Sequence, residues 1–101
     1  LLLDRGADIN IQDIDGWTAL IYASLYSKST SSLETVNLLL DRGANINISN
    51  NNEWTALMFA SRNSNSTSSL ETVKLLLDRG ANINAEDNFG WTALMYASEY
   101  S

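Results

Sequence analysis

Histidine, cysteine and proline are all missing from this 101-residue chain, and only six of its residues are lysine or arginine. Without cysteine there is no disulfide framework, which favours an intracellular, cytoplasmic setting. Without histidine or cysteine the common nucleophile and base constellations cannot be assembled, so any chemistry would fall to carboxylates, lysine, tyrosine, serine and threonine. Six scattered cations against twelve carboxylates, a net charge of -6, argue against a surface that neutralises phosphates and so against nucleic acid. The longest apolar runs are leucine triplets such as Leu1-Leu2-Leu3 and the stretch Ala19 to Ala23 with its later counterparts, far short of the roughly 18 residues of a membrane span. No initiator methionine, basic leader or cleavage pattern is legible, and the chain reads as a piece of something longer.

What the chain does have is repetition. Gly16-Trp17-Thr18-Ala19-Leu20-Ile21-Tyr22-Ala23-Ser24 returns as Glu53-Trp54-Thr55-Ala56-Leu57-Met58-Phe59-Ala60-Ser61 and as Gly90-Trp91-Thr92-Ala93-Leu94-Met95-Tyr96-Ala97-Ser98, with the tryptophans 37 residues apart both times. Residues 4–40 and 41–77 align without gaps at 25 of 37 positions. A fixed period of this size marks stacked supersecondary units, none able to bury its apolar face alone. The expected units are 13–49 and 50–86, flanked by a partial unit at 1–12 and the start of another at 87–101, all within one array.

Within a unit, Thr18, Thr55 and Thr92 are placed to cap a short first helix that runs, in the first copy, to about Tyr26. Ala19, Leu20 and Ala23 share one face of it. Serine-rich runs follow, Ser27 to Ser31 and Ser64 to Ser68, and are expected as loops. Ser31-Ser32-Leu33-Glu34 and Ser68-Ser69-Leu70-Glu71 fit a capping box opening a second helix. That helix carries Leu33, Val36, Leu39 and Leu40 at helical spacing, with Leu38 widening the stripe. Arg5, Arg42 and Arg79 lie at its end, and Gly6, Gly43 and Gly80 supply the left-handed residue that stops it. Ala7-Asp8-Ile9-Asn10, Ala44-Asn45-Ile46-Asn47 and Ala81-Asn82-Ile83-Asn84 then lead into turn-rich extended arms.

Gly-Trp-Thr-Ala-Leu followed by Leu-Glu-Thr-Val-x-Leu-Leu-Leu-Asp-Arg-Gly-Ala-x-Ile-Asn resembles the ankyrin repeat, and the resemblance covers the whole chain. It implies an all-α repeat solenoid of stacked helix-loop-helix units joined by β-hairpin-like arms. A tetratricopeptide array is the structural alternative, but its Trp-x2-Leu-Gly-x2-Tyr signature is missing. Three features depart from the family. Thr-Pro-Leu-His is replaced by Thr-Ala-Leu-Ile at 18–21 and Thr-Ala-Leu-Met at 55–58 and 92–95, so burial of Ile21, Met58 and Met95 is expected to take over from the missing histidine bonds. The period of 37 exceeds the usual value of about 33, with the extra residues in the serine-rich loop, where length costs little. Glu53 stands where Gly16 and Gly90 stand in the other copies, which puts the positive φ of that turn in question.

The resemblance also implies a function: binding a protein partner through the concave side made by the arm tips and the first helices. Carried over by position, that face is Ile14, Asp15, Leu25 and Tyr26, then Asn51, Asn52, Arg62 and Asn63, then Asn88, Phe89, Glu99 and Tyr100, with Trp17, Trp54 and Trp91 beside them. Seven of the twelve differences between the first two copies fall on the arm tips and first-helix ends. The tryptophans do not vary, and a stacked ladder at the base of the arms is favoured for them over direct partner contact. The competing reading is a structural spacer within a longer array. Paired acids such as Asp13 and Asp15, or Glu86 and Asp87, sit on turns and do not make an enzyme. Asp13-x-Asp15-Gly16 resembles part of a calcium loop but would need carboxylates at Ile11 and Tyr22, so no metal or cofactor is expected. Asn47-Ile48-Ser49 and Asn65-Ser66-Thr67 match the glycosylation pattern by chance in so Asn- and Ser-rich a chain. Arrays of this composition look like those of large DNA viruses and protists, which implies an adaptor acting in a host cytoplasm.

Overall fold

A computed structural model describes residues 8–26, 30–62 and 67–100, apart from the side chains of 30–32, 67–69 and 100. Five helices follow one another: α1 (Ala19–Leu25), α2 (Thr30–Asp41), α3 (Ala56–Arg62), α4 (Thr67–Asp78) and α5 (Ala93–Tyr100). Short and long helices alternate, and no strand occurs among the described residues. Each short helix starts where expected, because a threonine hydroxyl accepts an orphan amide: Thr18 from Ile21 at 3.2 Å, Thr55 from Met58 and Thr92 from Met95 at 3.4 Å.

The long helices start earlier than the capping box requires. Thr30 and Thr67 are already helical, so Ser31 and Ser68 lie inside the first turn and are not caps. Small hydroxylated residues are tolerated there because the first-turn amides have no intrahelical partner in any case. Residues 30–31 and 67–68 of the expected serine-rich loops are therefore helical; the rest of those loops, 27–29 and 64–66, like Arg5 and Gly6, lies outside the described residues. The helix ends match expectation. Gly43 and Gly80 take φ of 93° and 97°, and Ala44 N–H reaches Leu39 O while Gly43 N–H reaches Leu40 O, at 3.0 and 3.1 Å, a pattern repeated at Gly80 and Ala81. This is the double bond of a Schellman end.

The core runs through the stack. α3 packs against α1 on one side, α5 on the other and α4 behind. Leu20, Val36, Leu39, Leu40, Leu57, Met58, Leu76 and Tyr96 form one continuous buried cluster. At about 25 cal/mol per Å² of apolar surface withdrawn from water, such burial is the main force holding unit to unit. Ile21 and Met58 are buried as expected, but Met95 is 47% exposed. It lies on α5, against which no second helix packs within these residues, as α2 does on α1 and α4 on α3. Ala19 is likewise exposed, whereas Ala56 and Ala93 are buried by the first helix of the preceding copy. Leu38 does not join the core; it is exposed, and the stripe closes with Val36, Leu39 and Leu40.

Candidate functional site

The arms stand on the first helices, and their shape follows from their side chains. In the first arm Gly16 N–H bonds to Asp13 O, and Asp13 N–H to Trp17 O, both at 2.9 Å. This is a type I turn closed by a left-handed residue, a common three-residue hairpin. The second and third arms repeat it at Asn50–Trp54 and Asp87–Trp91. Glu53 keeps the left-handed conformation at φ 64°, so the missing glycine has not changed the turn. At Gly16 a side chain could not be added as easily: a Cβ would lie 2.6 Å from Asn51 Oδ1 and 2.8 Å from Asn51 N.

Below the tips the rings form a rail. Tyr22, Trp17, Phe59, Trp54, Tyr96 and Trp91 follow one another with centroids 4.7, 4.7, 4.6, 4.3 and 5.0 Å apart and planes tilted by 32–42°. Trp17 and Trp54 each touch the ring on their own helix and the ring on the next, so the rail crosses both boundaries between copies. Tilted ring pairs at such distances contribute about 0.5–1.5 kcal/mol each beyond the area they bury. The expected ladder is therefore present, but alternate rungs come from residues 22, 59 and 96. An aromatic residue five positions after each tryptophan was the signal for them.

Each arm is pinned by the residue that opens its turn. Asp13 Oδ1 accepts from the Asp15 and Trp17 amides, both at 2.9 Å. Asn50 Oδ1 accepts from Asn52 and Trp54, at 2.9 and 3.0 Å. Asp87 Oδ1 accepts from Phe89 and Trp91, at 2.8 and 3.0 Å. In the first and third arms the second carboxylate oxygen accepts from a phenol, Tyr22 to Asp13 and Tyr96 to Asp87. In the middle arm the amide Asn50 is matched with Phe59, which has no hydroxyl to offer. Carboxylate with phenol and amide with phenyl thus change together.

Tyr22's hydroxyl, with the Trp17 amide next in weight, holds Asp13 below its ordinary pKa of 3.8, and the same bond raises Tyr22 above its ordinary 10.0. Burial is the largest influence on Asp87 and pushes it up, but the Tyr96 hydroxyl and the Trp91 and Phe89 amides outweigh it and the balance is downward. Both carboxylates are thereby committed to the fold. Both oxygens of Asp13 and of Asp87 accept hydrogen bonds from their own arm and helix, and no group of three or more candidate metal ligands occurs among the described residues.

Neighbouring arms are sewn together by asparagines. Asn45 N–H donates to Asn10 Oδ1 at 2.7 Å, and Asn82 N–H to Asn47 Oδ1 at 2.8 Å. Higher up, Asn51 donates from its backbone to Asp15 O at 2.9 Å and from its amide to Ile14 O at 3.0 Å. Asn88 N–H reaches Asn52 O at 3.2 Å. This joining role of Asn10 and Asn47 is not assigned from the sequence, although the asparagine of Ile-Asn recurs in all three arms.

The residues expected on the concave side divide in two. Asn51 and Asn88 are occupied in joining arms, and Trp17, Trp54 and Trp91 in the half-buried rail. Ile14 and Phe89 stand 93% and 84% exposed at the tips, and Tyr26 is 66% exposed at the end of α1. Asp15, Asn52 and Glu99 are exposed and Leu25 half-buried. Arg62 lies over the Trp54 ring, 5.9 Å from its centroid. Asn63 and the Tyr100 side chain lie outside the described residues. Between the first and second tryptophans the rail opens into a cavity of about 260 Å³ lined by Trp17, Asn50, Asn52, Trp54, Phe59 and Arg62.

Paired helices, repeated at a fixed interval and bridged by short turned arms, define a helical repeat protein. Family comparison carries this one step further. Residues 26–101 match a family model described as ankyrin repeats (3 copies), and residues 1–29 one described as ankyrin repeats (many copies). The chain belongs to the ankyrin repeat family. A comparison with curated proteins finds no match. Ankyrin repeats are in general protein–protein interaction modules and typically not catalytic.

Proposed function

We propose that the chain recognises a protein partner through its inner face, the side made by the arm tips and the first helices, as part of a longer repeat-bearing chain in an intracellular, cytoplasmic setting. The units of that array are 13–49 and 50–86, flanked by the end of a partial unit at 1–12 and the start of another at 87–101. The observation that carries the reading is the pair of apolar tips, Ile14 and Phe89, standing clear of the aromatic rail and the hydrogen-bonded arms. Large apolar side chains fixed on a rigid support and rimmed by polar groups are the composition of interface anchors. A spacer would have no use for them. No helix among the described residues is long and apolar enough to cross a membrane.

The test is a pull-down with Ile14→Asp, Tyr26→Ala and Phe89→Asp combined. Loss of the captured partner with an unchanged circular dichroism spectrum supports the inner face. Retention of that partner moves recognition elsewhere.

A further inference from the structure

The opposite face carries a second opening. Between α2 and α4 lies a groove of about 380 Å³ lined by Leu33, Glu34 and Asn37 on one side and Glu71, Lys74, Leu75 and Asp78 on the other. Leu33 and Leu75 are half-buried and make its floor, while the polar residues on both rims are exposed. Three carboxylates face one ammonium, and no ion pair among the described residues neutralises Glu34, Glu71 or Asp78. Residues 71 and 78 are seven apart, which places them about 10 Å from each other along α4 at the usual rise per residue.

The lower end of this groove shows what it prefers. Arg79 reaches across from α4 to α2, donating from Nη1 to Asn37 Oδ1 at 3.1 Å and pairing through Nη2 with Asp41 Oδ1 at 3.0 Å. The chain's own guanidinium thus bridges the two helices at the foot of the groove, one of its partners being a groove residue. Higher up, Glu34 and Glu71 occupy equivalent places on the two helices, and among the described residues no salt bridge joins either of them to a cation, Lys74 on the rim included. A guanidinium entering there would find carboxylates for its planar fork and leucines for its aliphatic stem.

We infer that this outer groove docks an arginine-bearing, otherwise apolar segment of a partner protein, separately from whatever the inner face binds. The inference does not depend on the inner-face reading. Lys74, on the rim where the first copy has Asn37, weakens the site and tunes it.

The experiment uses a fluorescein-labelled nine-residue peptide with arginine at its third and seventh positions and leucine between them, and a twin with glutamine for both arginines. Fluorescence anisotropy at near-physiological salt, where exposed charges beyond about 8 Å are screened, is expected to show the arginine peptide binding the full chain at least about tenfold tighter than its twin, since closely paired charges across an interface are worth 1.5 kcal/mol or more. Glu34→Lys with Glu71→Lys should lose that about tenfold preference, and Lys74→Glu should strengthen it several-fold. Asp15→Lys with Glu99→Lys makes the same change in net charge on the inner face and should leave binding within about twofold. Glu34→Gln with Glu71→Gln serves if the lysine pair fails to fold. Equal binding of the two peptides, or equal losses from the inner and outer charge reversals, overturns the proposal. Loss of partner capture by the Ile14, Tyr26 and Phe89 variant with this peptide still bound would separate the two faces.

Discussion

Leu57 and Leu94 occupy the same place in the same motif, yet Leu57 is 2% exposed and Leu94 68%. Met58 and Met95 differ the same way. Nothing in the local sequence separates them, since Trp-Thr-Ala-Leu-Met stands at both sites. The neighbours differ: α3 lies between α1 and α5 with α4 behind it, while among the described residues α5 packs chiefly against α3. Burial in a stacked repeat is therefore conferred by adjoining copies and not by the motif, as expected of a chain whose energy resides largely in nearest-neighbour contacts.

The largest consequence concerns this pair. Leu57→Ala should cost about 2–5 kcal/mol in urea unfolding, the usual range for a leucine lost from a packed core. Leu94→Ala should change stability by no more than about 0.5 kcal/mol. Equal losses would remove the distinction between the two helices.

A second contrast, between the carboxylate–phenol arms and the amide–phenyl arm, sharpens the comparison. Tyr96→Phe takes the phenol from buried Asp87 and should cost about 1.5–3 kcal/mol, the range for a hydrogen bond to a charged group. Asp87→Asn with Tyr96→Phe rebuilds the pair found at Asn50 and Phe59. A double-mutant cycle should show the two changes together costing at least about 0.5 kcal/mol less than their sum. Strict additivity would mean the pairs are unrelated.

Glu53 separates the arms in a third way. Its left-handed backbone is disfavoured for a residue with a Cβ, so Glu53→Gly should raise the thermal midpoint by an amount equivalent to at most about 1 kcal/mol. Gly90→Ala, whose new Cβ would meet nothing nearer than Glu86 Oε1 at 3.7 Å, should lower it by about as much through φ alone.

The smallest effect is in acid. Asp87 has a folded pKa below its ordinary 3.8, so its contribution is complete above that value and is lost as pH falls through the lower folded one. Urea midpoints followed from about pH 5 to about pH 2 should fall less steeply for Asp87→Asn than for the parent chain. Asn50 cannot titrate, and Asn50→Asp with Phe59→Tyr should steepen the fall.

The solenoid and its turn chemistry were legible because each signal recurs in register: the threonine caps, the glycines after Asp41-Arg42 and Asp78-Arg79, and the leucines at helical spacing. The start of α2 and α4 was misplaced because Ser and Thr serve equally as caps and first-turn residues, and four of them in a row, at 29–32 and 66–69, give no edge. The exposure of Met95 was not legible, because the motif states which residue is apolar and not what lies beside it. The rail was half legible. Recurrence marked the tryptophans, but Tyr22, Phe59 and Tyr96 count as variable until their rings are seen to be interchangeable and their hydroxyls matched to Asp13 and Asp87. The outer groove could not be read at all, since Glu34 and Glu71 look like ordinary solvated helix positions until two helices are set side by side.

In this stack α3 is held by its neighbours, and amide hydrogen exchange tests that most directly. The amides of Met58 to Arg62 should exchange only with global unfolding, and those of Met95 to Glu99 at least about tenfold faster, through local opening. Protection of α5 equal to or greater than that of α3 would contradict it.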